Sequence, residues 1–129
     1  MKKVIRVVAA VLERDGRYLI TQRRDSAVLP LQWEFPGGKV EAGENDEDAL
    51  RRELSERLDA DFEIGKKIGE KHHIYDGYEV ILALYAAKLI PGRPIRAKRV
   101  RDFRWVASSE FGQYQFPDAD QRTMDQLLG

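Results

Sequence analysis

The 129-residue chain contains no cysteine, which excludes disulfides, Cys-ligated zinc, iron–sulfur clusters and thiol nucleophiles together. It also lacks net charge, with 22 basic and 22 acidic residues. Affinity for nucleic acid or an anionic membrane would therefore need a local patch. No apolar stretch approaches the roughly 20 residues that cross a bilayer. The segment from Met1 to Leu12 begins like a signal peptide, but Arg6 interrupts it and Glu13-Arg14-Asp15-Gly16 ends it, so a strand running into a turn is expected. A cytoplasmic protein with no membrane partner is the matching expectation. Repeats, linkers and low-complexity runs are missing as well. What is present, 43% hydrophobic and 34% charged residues, is the composition of an ordinary globule, long enough for one domain over residues 1–129.

Val4 to Leu12 is rich in β-branched residues, Asp15-Gly16 is a turn pair, and Tyr18 to Arg23 resumes the pattern, which predicts a hairpin. An irregular stretch follows from Arg24 to Pro36, punctuated by Pro36-Gly37-Gly38. From Asn45 the pattern turns helical. Asn45 can cap the helix with Asp48 at its third position, acids fill the first turn, and Leu50, Leu54 and Leu58 form one apolar stripe. Phe62 to Ile68 and Glu70 to Tyr75 read as two strands, Asp76-Gly77 as a turn, and Tyr78 to Leu89 as a long apolar strand ended by Pro91-Gly92-Arg93-Pro94. Phe103 to Val106 is a short strand, and Ser108 or Ser109 caps a turn. Asp118 or Asp120 starts a closing helix that reaches Leu127-Leu128. The order predicts an α+β fold, a mixed β-sheet packed with helices.

Chemistry concentrates between Gly37 and Arg57. A glycine-rich loop lets backbone groups approach a ligand closely, and Glu53 and Glu56, at i and i+3, put two carboxylates on one helix face. Hard divalent cations such as Mg²⁺ favour oxygen ligands of this kind. The bland alternative is a solvated acidic face with Glu53 paired to Arg57 at i+4. His72-His73 invite a metal reading too, yet adjacent strand residues point to opposite faces, so one is expected toward the cleft and one toward solvent. Trp33, Tyr78 and Phe116 are candidates for stacking on a base, or else core and groove wall.

The segment resembles the Nudix box, whose pattern is Gly, five residues, Glu, seven residues, then Arg-Glu-apolar-any-Glu-Glu-any-Gly-apolar. Gly38, Glu44, Arg52, Glu53, Leu54 and Glu56 fall at the matching places. Gln22-Arg23-Arg24, Gln32 to Val40, Trp105-Val106 and Phe116-Pro117-Asp118-Ala119-Asp120 extend the resemblance to the MutT-type nucleoside triphosphate pyrophosphohydrolases. The resemblance implies a Nudix fold, a mixed sheet sandwiched between α-helices. It also implies hydrolysis of a nucleoside triphosphate to the monophosphate and pyrophosphate by water activated at Mg²⁺ or Mn²⁺. Glu53 matches the candidate base, Arg52 the arginine that orients it, and Gly37, Glu44, Glu53 and Glu56 the metal ligands. Arg23 and Lys39 become candidates for phosphate contact, against the alternative of solvated surface cations. Asp120 matches the base-reading position, with Phe116 and Tyr78 as its neighbours. An ionised Asp accepts hydrogen bonds only, which favours an amino edge as on cytosine, whereas a protonated one would suit 8-oxo-dGTP. Capping of the last helix is its plain structural alternative.

Three positions depart from the pattern. Arg57 stands for the second glutamate of the pair, Asp59 for the glycine, and Arg99, in a basic loop with Arg93, Arg96, Lys98, Arg101 and Arg104, for an acid that helps bind metal in many relatives. Three readings follow: an enzyme with fewer metals, an enzyme in which Arg57 and Arg99 hold the phosphates, or a catalytically silent module binding a nucleotide or, as the weaker candidate partner, an RNA 5′ end. A monomer and a homodimer are both compatible with the sequence.

Overall fold

The computed structural model describes residues 3–128; Met1, Lys2 and Gly129, the ends of the expected domain, lie outside the described residues. Seven strands, β1 (Lys3–Arg14), β2 (Arg17–Gln22), β3 (Trp33–Glu34), β4 (Gly37–Lys39), β5 (Phe62–Tyr75), β6 (Tyr78–Leu89) and β7 (Asp102–Val106), form one mixed sheet. Its main path runs β3-β2-β1-β6-β5, with β4 paired to β1 and β7 to β2. Helix α1 (Asp46–Leu58) and the shorter α2 (Gln121–Leu127) complete it, with a 3₁₀ turn at Ser108–Gln113. This is the α+β arrangement, a mixed sheet packed with helices, that the sequence predicts.

The parallel pairing of β1 with β6 is the centre of the sheet, and alternation along both strands separates two faces. Val8, Ala10 and Leu12 with Ala83, Tyr85 and Ala87 point to the face that buries Leu50, Leu54 and Leu58 of α1. Ile5 and Val7 with Tyr78 and Val80 point to the other, where Met124, Leu127 and Leu128 from the α2 end cover them. Among the described residues, no helix is long and apolar enough to cross a membrane.

Helix α1 begins as expected, with the Asn45 side chain accepting from the Asp48 amide at 2.8 Å. It ends with Asp59 in the left-handed region (φ 51°), its amide donating to Ser55. Asp thus takes the conformation usually left to glycine. Two elements differ from expectation. The pair of strands over 62–75 is one strand, with register shifts between Ile64 and Gly69, because β6 offers an unbroken partner along its whole length. Gly37-Gly38-Lys39 is not a loop but β4, pressed so closely on β1 that a Cβ on Gly37 would lie 2.0 Å from the Val8 carbonyl oxygen.

Candidate active site

The site is built where α1, β4 and the open end of the β1/β6 face meet. A cavity of about 540 Å³ opens there, floored by Val7 and Ala9 of β1 and Val80, Leu82 and Leu84 of β6, and roofed by Phe116, Met124 and Leu127. At its far end lie Gly37, Gly38, Lys39 and Glu53. A second, polar cavity of about 350 Å³ adjoins it and is lined by five arginines and three glutamates. Arg23, Glu41, Glu53 and Arg57 line both, so one groove runs from an apolar half into a charged half.

Glu53 sits at that junction. It is one of two polar side chains buried among the described residues, and each carboxylate oxygen is held: Oε1 accepts from Arg52 Nη1 at 3.0 Å, and Oε2 from Arg57 Nε at 2.8 Å. Arg52 is itself fixed by Glu44, donating from Nε to Oε2 at 2.7 Å and from Nη2 to Oε1 at 2.9 Å. The Glu41 amide supplies a further donor to Glu44 at 2.9 Å. These donors, Arg52 foremost, hold the Glu44 carboxyl down at about 2 against an ordinary 4.5. A backbone amide thus orients Glu44, Glu44 orients Arg52, and Arg52 aims Glu53. Gly38 completes the seat, since a Cβ there would fall 2.4 Å from Glu53 Cδ.

A divalent cation needs several oxygen donors free at one point. Here both oxygens of Glu44 and both of Glu53 face arginines, and Glu56 lies 3.5 Å from Arg52 and 3.8 Å from Arg99. Among the described residues, no group of three or more acids or histidines stands close enough to hold a metal ion. The expected ligand set of Gly37, Glu44, Glu53 and Glu56 therefore does not form a carboxylate cage, because Arg57 and Arg99 bring cations where further acids are needed. Gly37 lines the apolar cavity, and Glu56 lines the polar one.

The remaining expected residues divide. Arg23 lines both cavities while donating to Glu34 at 2.7 Å and to the Val28 carbonyl at 2.6 Å. Lys39 lines the apolar cavity, its ammonium 3.4 Å from the Leu128 carbonyl. Arg57 and Arg99 both reach the polar cavity. Of the base contacts, Phe116 lines the apolar cavity, but Tyr78 and Asp120 do not. Tyr78 is packed with Ile5 and Val80 and donates to Asp125 at 2.7 Å. Asp120 is exposed and caps α2, accepting from the Thr123 amide at 2.7 Å, which keeps its carboxyl below the ordinary range. The capping alternative is the arrangement observed. Trp33 is core, edge-on to Tyr114. Neither histidine lines either half of the groove; both are exposed on β5, where His72 meets Glu70 and Glu79.

Sequence reasoning passed over Arg24, Glu34 and Glu41, which also line the groove. Arg24 is carried by the 23–32 loop, where Leu29 and Leu31 are held at φ 53° and 64°, and its guanidinium reaches across to the Lys98 carbonyl at 2.9 Å. Nothing local in the sequence announces that meeting. Arg99 is placed by the end of α1: the Arg57 carbonyl accepts from the Lys98 and Arg99 amides, both at 3.1 Å, and the Leu58 carbonyl from Arg96 at 2.8 Å. The basic loop thereby satisfies carbonyls that a helix end leaves unpaired.

Comparison with known proteins agrees with this architecture. A family model described as NUDIX domain matches residues 7–126. The chain is 34% identical over 118 residues to the CTP pyrophosphohydrolase of Escherichia coli (strain K12), an alignment covering 92% of this chain and 87% of that protein. It is 31% identical over 129 residues to the 8-oxo-dGTP diphosphatase of Haemophilus influenzae, covering 98% and 93%. Among solved structures, the solution structure of the E. coli ORF135 protein superposes with a TM-score of 0.76 at 31% identity, covering 97% of this chain and 89% of that one.

Proposed function

The chain belongs to the Nudix family and is a nucleotide pyrophosphohydrolase; on that premise we propose that it hydrolyses a nucleoside triphosphate to the monophosphate and pyrophosphate in the two-part groove. The observation that carries this reading is the position of Glu53, which lines both halves. A base fits the apolar half, against Phe116 and the β6 floor. Its phosphates then extend past Lys39 and Arg23 into the arginine-lined half, so the scissile P–O bond lies beside the Glu53 carboxylate. CTP or dCTP and 8-oxo-dGTP are the first candidates, given the relatives named above. A cytoplasmic location suits such a substrate.

Glu53 is the catalytic residue: it accepts the proton of the attacking water as the oxygen adds to phosphorus and pyrophosphate departs. Arg52 is a positioning residue that acts through Glu53. Nudix hydrolases generally use a divalent cation. Because the carboxylates here form no cage, we assign Mg²⁺ or Mn²⁺ to the substrate, as the metal–nucleotide complex. A proton can pass only to a Glu53 oxygen that is not already held, so one of its two arginines gives way when substrate binds.

The test is pyrophosphate release from a panel of NTPs, dNTPs and 8-oxo-dGTP, with Glu53→Gln as the blank. Loss of a positioned base costs about a hundredfold or more, so release by the wild type and its loss in the variant is the expected result. No release above the blank from any nucleotide would overturn the reading and leave binding without turnover.

A further inference from the structure

Five arginines against three glutamates give the polar cavity a formal excess of two positive charges in a chain whose net charge is zero. Besides Arg24, whose one side-chain hydrogen bond among the described residues is to the Lys98 carbonyl, two of these arginines are barely committed. Among the described residues Arg57 makes a single side-chain hydrogen bond, from Nε to Glu53. Arg99 makes none, only a 3.8 Å ion pair to Glu56. A guanidinium carries five N–H donors in a planar fork, so both have donors to spare. Arg52, by contrast, is occupied by Glu44, Glu53 and the Lys39 carbonyl.

We propose that Arg57 and Arg99, with Arg23 and Arg24, form a polyphosphate-binding site that needs no divalent cation: the chain supplies with its own side chains the positive charge that a metal would bring. The inference rests on the functional reading above and deepens it by stating how the phosphates are held. Arginine favours phosphate over a lone carboxylate because a phosphoryl group offers more oxygens and more charge to the same fork. The Arg57–Glu53 pair lies within one helix at i and i+4, so Arg57 can change partners without moving any backbone. Arg57 is therefore the arginine that gives way, and phosphate binding leaves Oε2 of Glu53 open to water. Because the arginines already supply the positive charge, a divalent cation carried on the pyrophosphate adds nothing to its hold, so it does not strengthen binding.

Calorimetric titration of the full chain with inorganic pyrophosphate, in chelator and then in excess Mg²⁺, decides the matter. The expected result is saturable binding in chelator that Mg²⁺ leaves unchanged or weakens. Arg57→Glu is expected to weaken that metal-free binding about tenfold or more, the worth of one charge-assisted hydrogen-bonded contact. Arg99→Ala, at a side chain 62% exposed, is expected to weaken it severalfold and keeps the test decisive if Arg57→Glu does not fold. Binding seen only with Mg²⁺, or Arg99→Ala and folded Arg57→Glu both binding as wild type, would overturn the proposal. The two readings fail separately: metal-free pyrophosphate binding without nucleotide turnover sinks the hydrolase reading alone, and turnover without metal-free binding sinks this one alone.

Discussion

Helix α1 carries two carboxylates of equal burial, each 12% exposed and each held by arginine, with opposite uses. Asp46, in the first turn, accepts from Arg6 Nε at 2.6 Å and Nη2 at 2.7 Å and from the Tyr85 hydroxyl at 2.6 Å. Its partners stand on β1 and β6, so the cluster pins the helix to the sheet, and Asp46 lines neither cavity. The Arg6 guanidinium, foremost, holds the Asp46 carboxyl low, while burial and Asp46 push the Tyr85 hydroxyl up to about 12. Glu53 is held by Arg52 and Arg57 of its own helix, beside open space. A carboxylate tied to other elements anchors; one tied to its own helix can be released without undocking it.

The sharpest break of that contrast is Gly38→Ala. The three atoms nearest the added Cβ all belong to the Glu53 carboxylate, a side-chain end rather than backbone, so Glu53 is expected to be displaced while the fold holds. Misplacing a catalytic group by about 1 Å costs about a hundredfold, and the expected outcome is a kcat reduced by that order with a near-normal melting curve. Gly37→Ala is the control, because its Cβ meets β1 backbone and damages the sheet instead. Asp46→Ala exchanges the pattern. Losing three hydrogen bonds and leaving Arg6 and Tyr85 without that partner costs about 2–3 kcal/mol of stability, measurable by urea unfolding, while KM and kcat change by less than about twofold.

The smallest effect concerns the support of the site. The folded-state carboxyl of Glu44 titrates at about 2, below its ordinary 4.5. Its ion pair with Arg52 therefore stabilises the fold above 4.5, and that contribution fades as pH falls from 4.5 toward 2. Melting temperatures of wild type and Glu44→Gln should differ by a constant amount above that range and converge within it. A gap that widened on acidification would contradict the assigned role of Glu44.

Much of this was legible because its signals are local. Asn45 with Asp48 marks the start of α1, Leu50, Leu54 and Leu58 its buried stripe, and the spacing from Gly38 to Glu56 the family to which the chain belongs. What escaped depends on meetings between distant segments. Gly37-Gly38 reads as a turn by local rules and becomes a strand only because β1 lies alongside. Gly69 reads as a break in β5 until β6 is there to bridge it. Asp120 reads from the sequence as a base contact with a helix cap as its alternative, and its hydrogen bond from Thr123 shows the cap. The charge reversals at 57 and 99 were visible, but not that both arginines would enter one cavity.

The two amides that share the Arg57 carbonyl give the groove a dynamic property. The last turn of α1 cannot fray without freeing Lys98 and Arg99, and the basic loop cannot lift without exposing the helix end. They form one cooperative opening unit rather than two independent ones. Opening of either segment consequently displaces the backbones of Arg57 and Arg99 together, whereas the Arg57 side chain can still exchange partners while both stay closed.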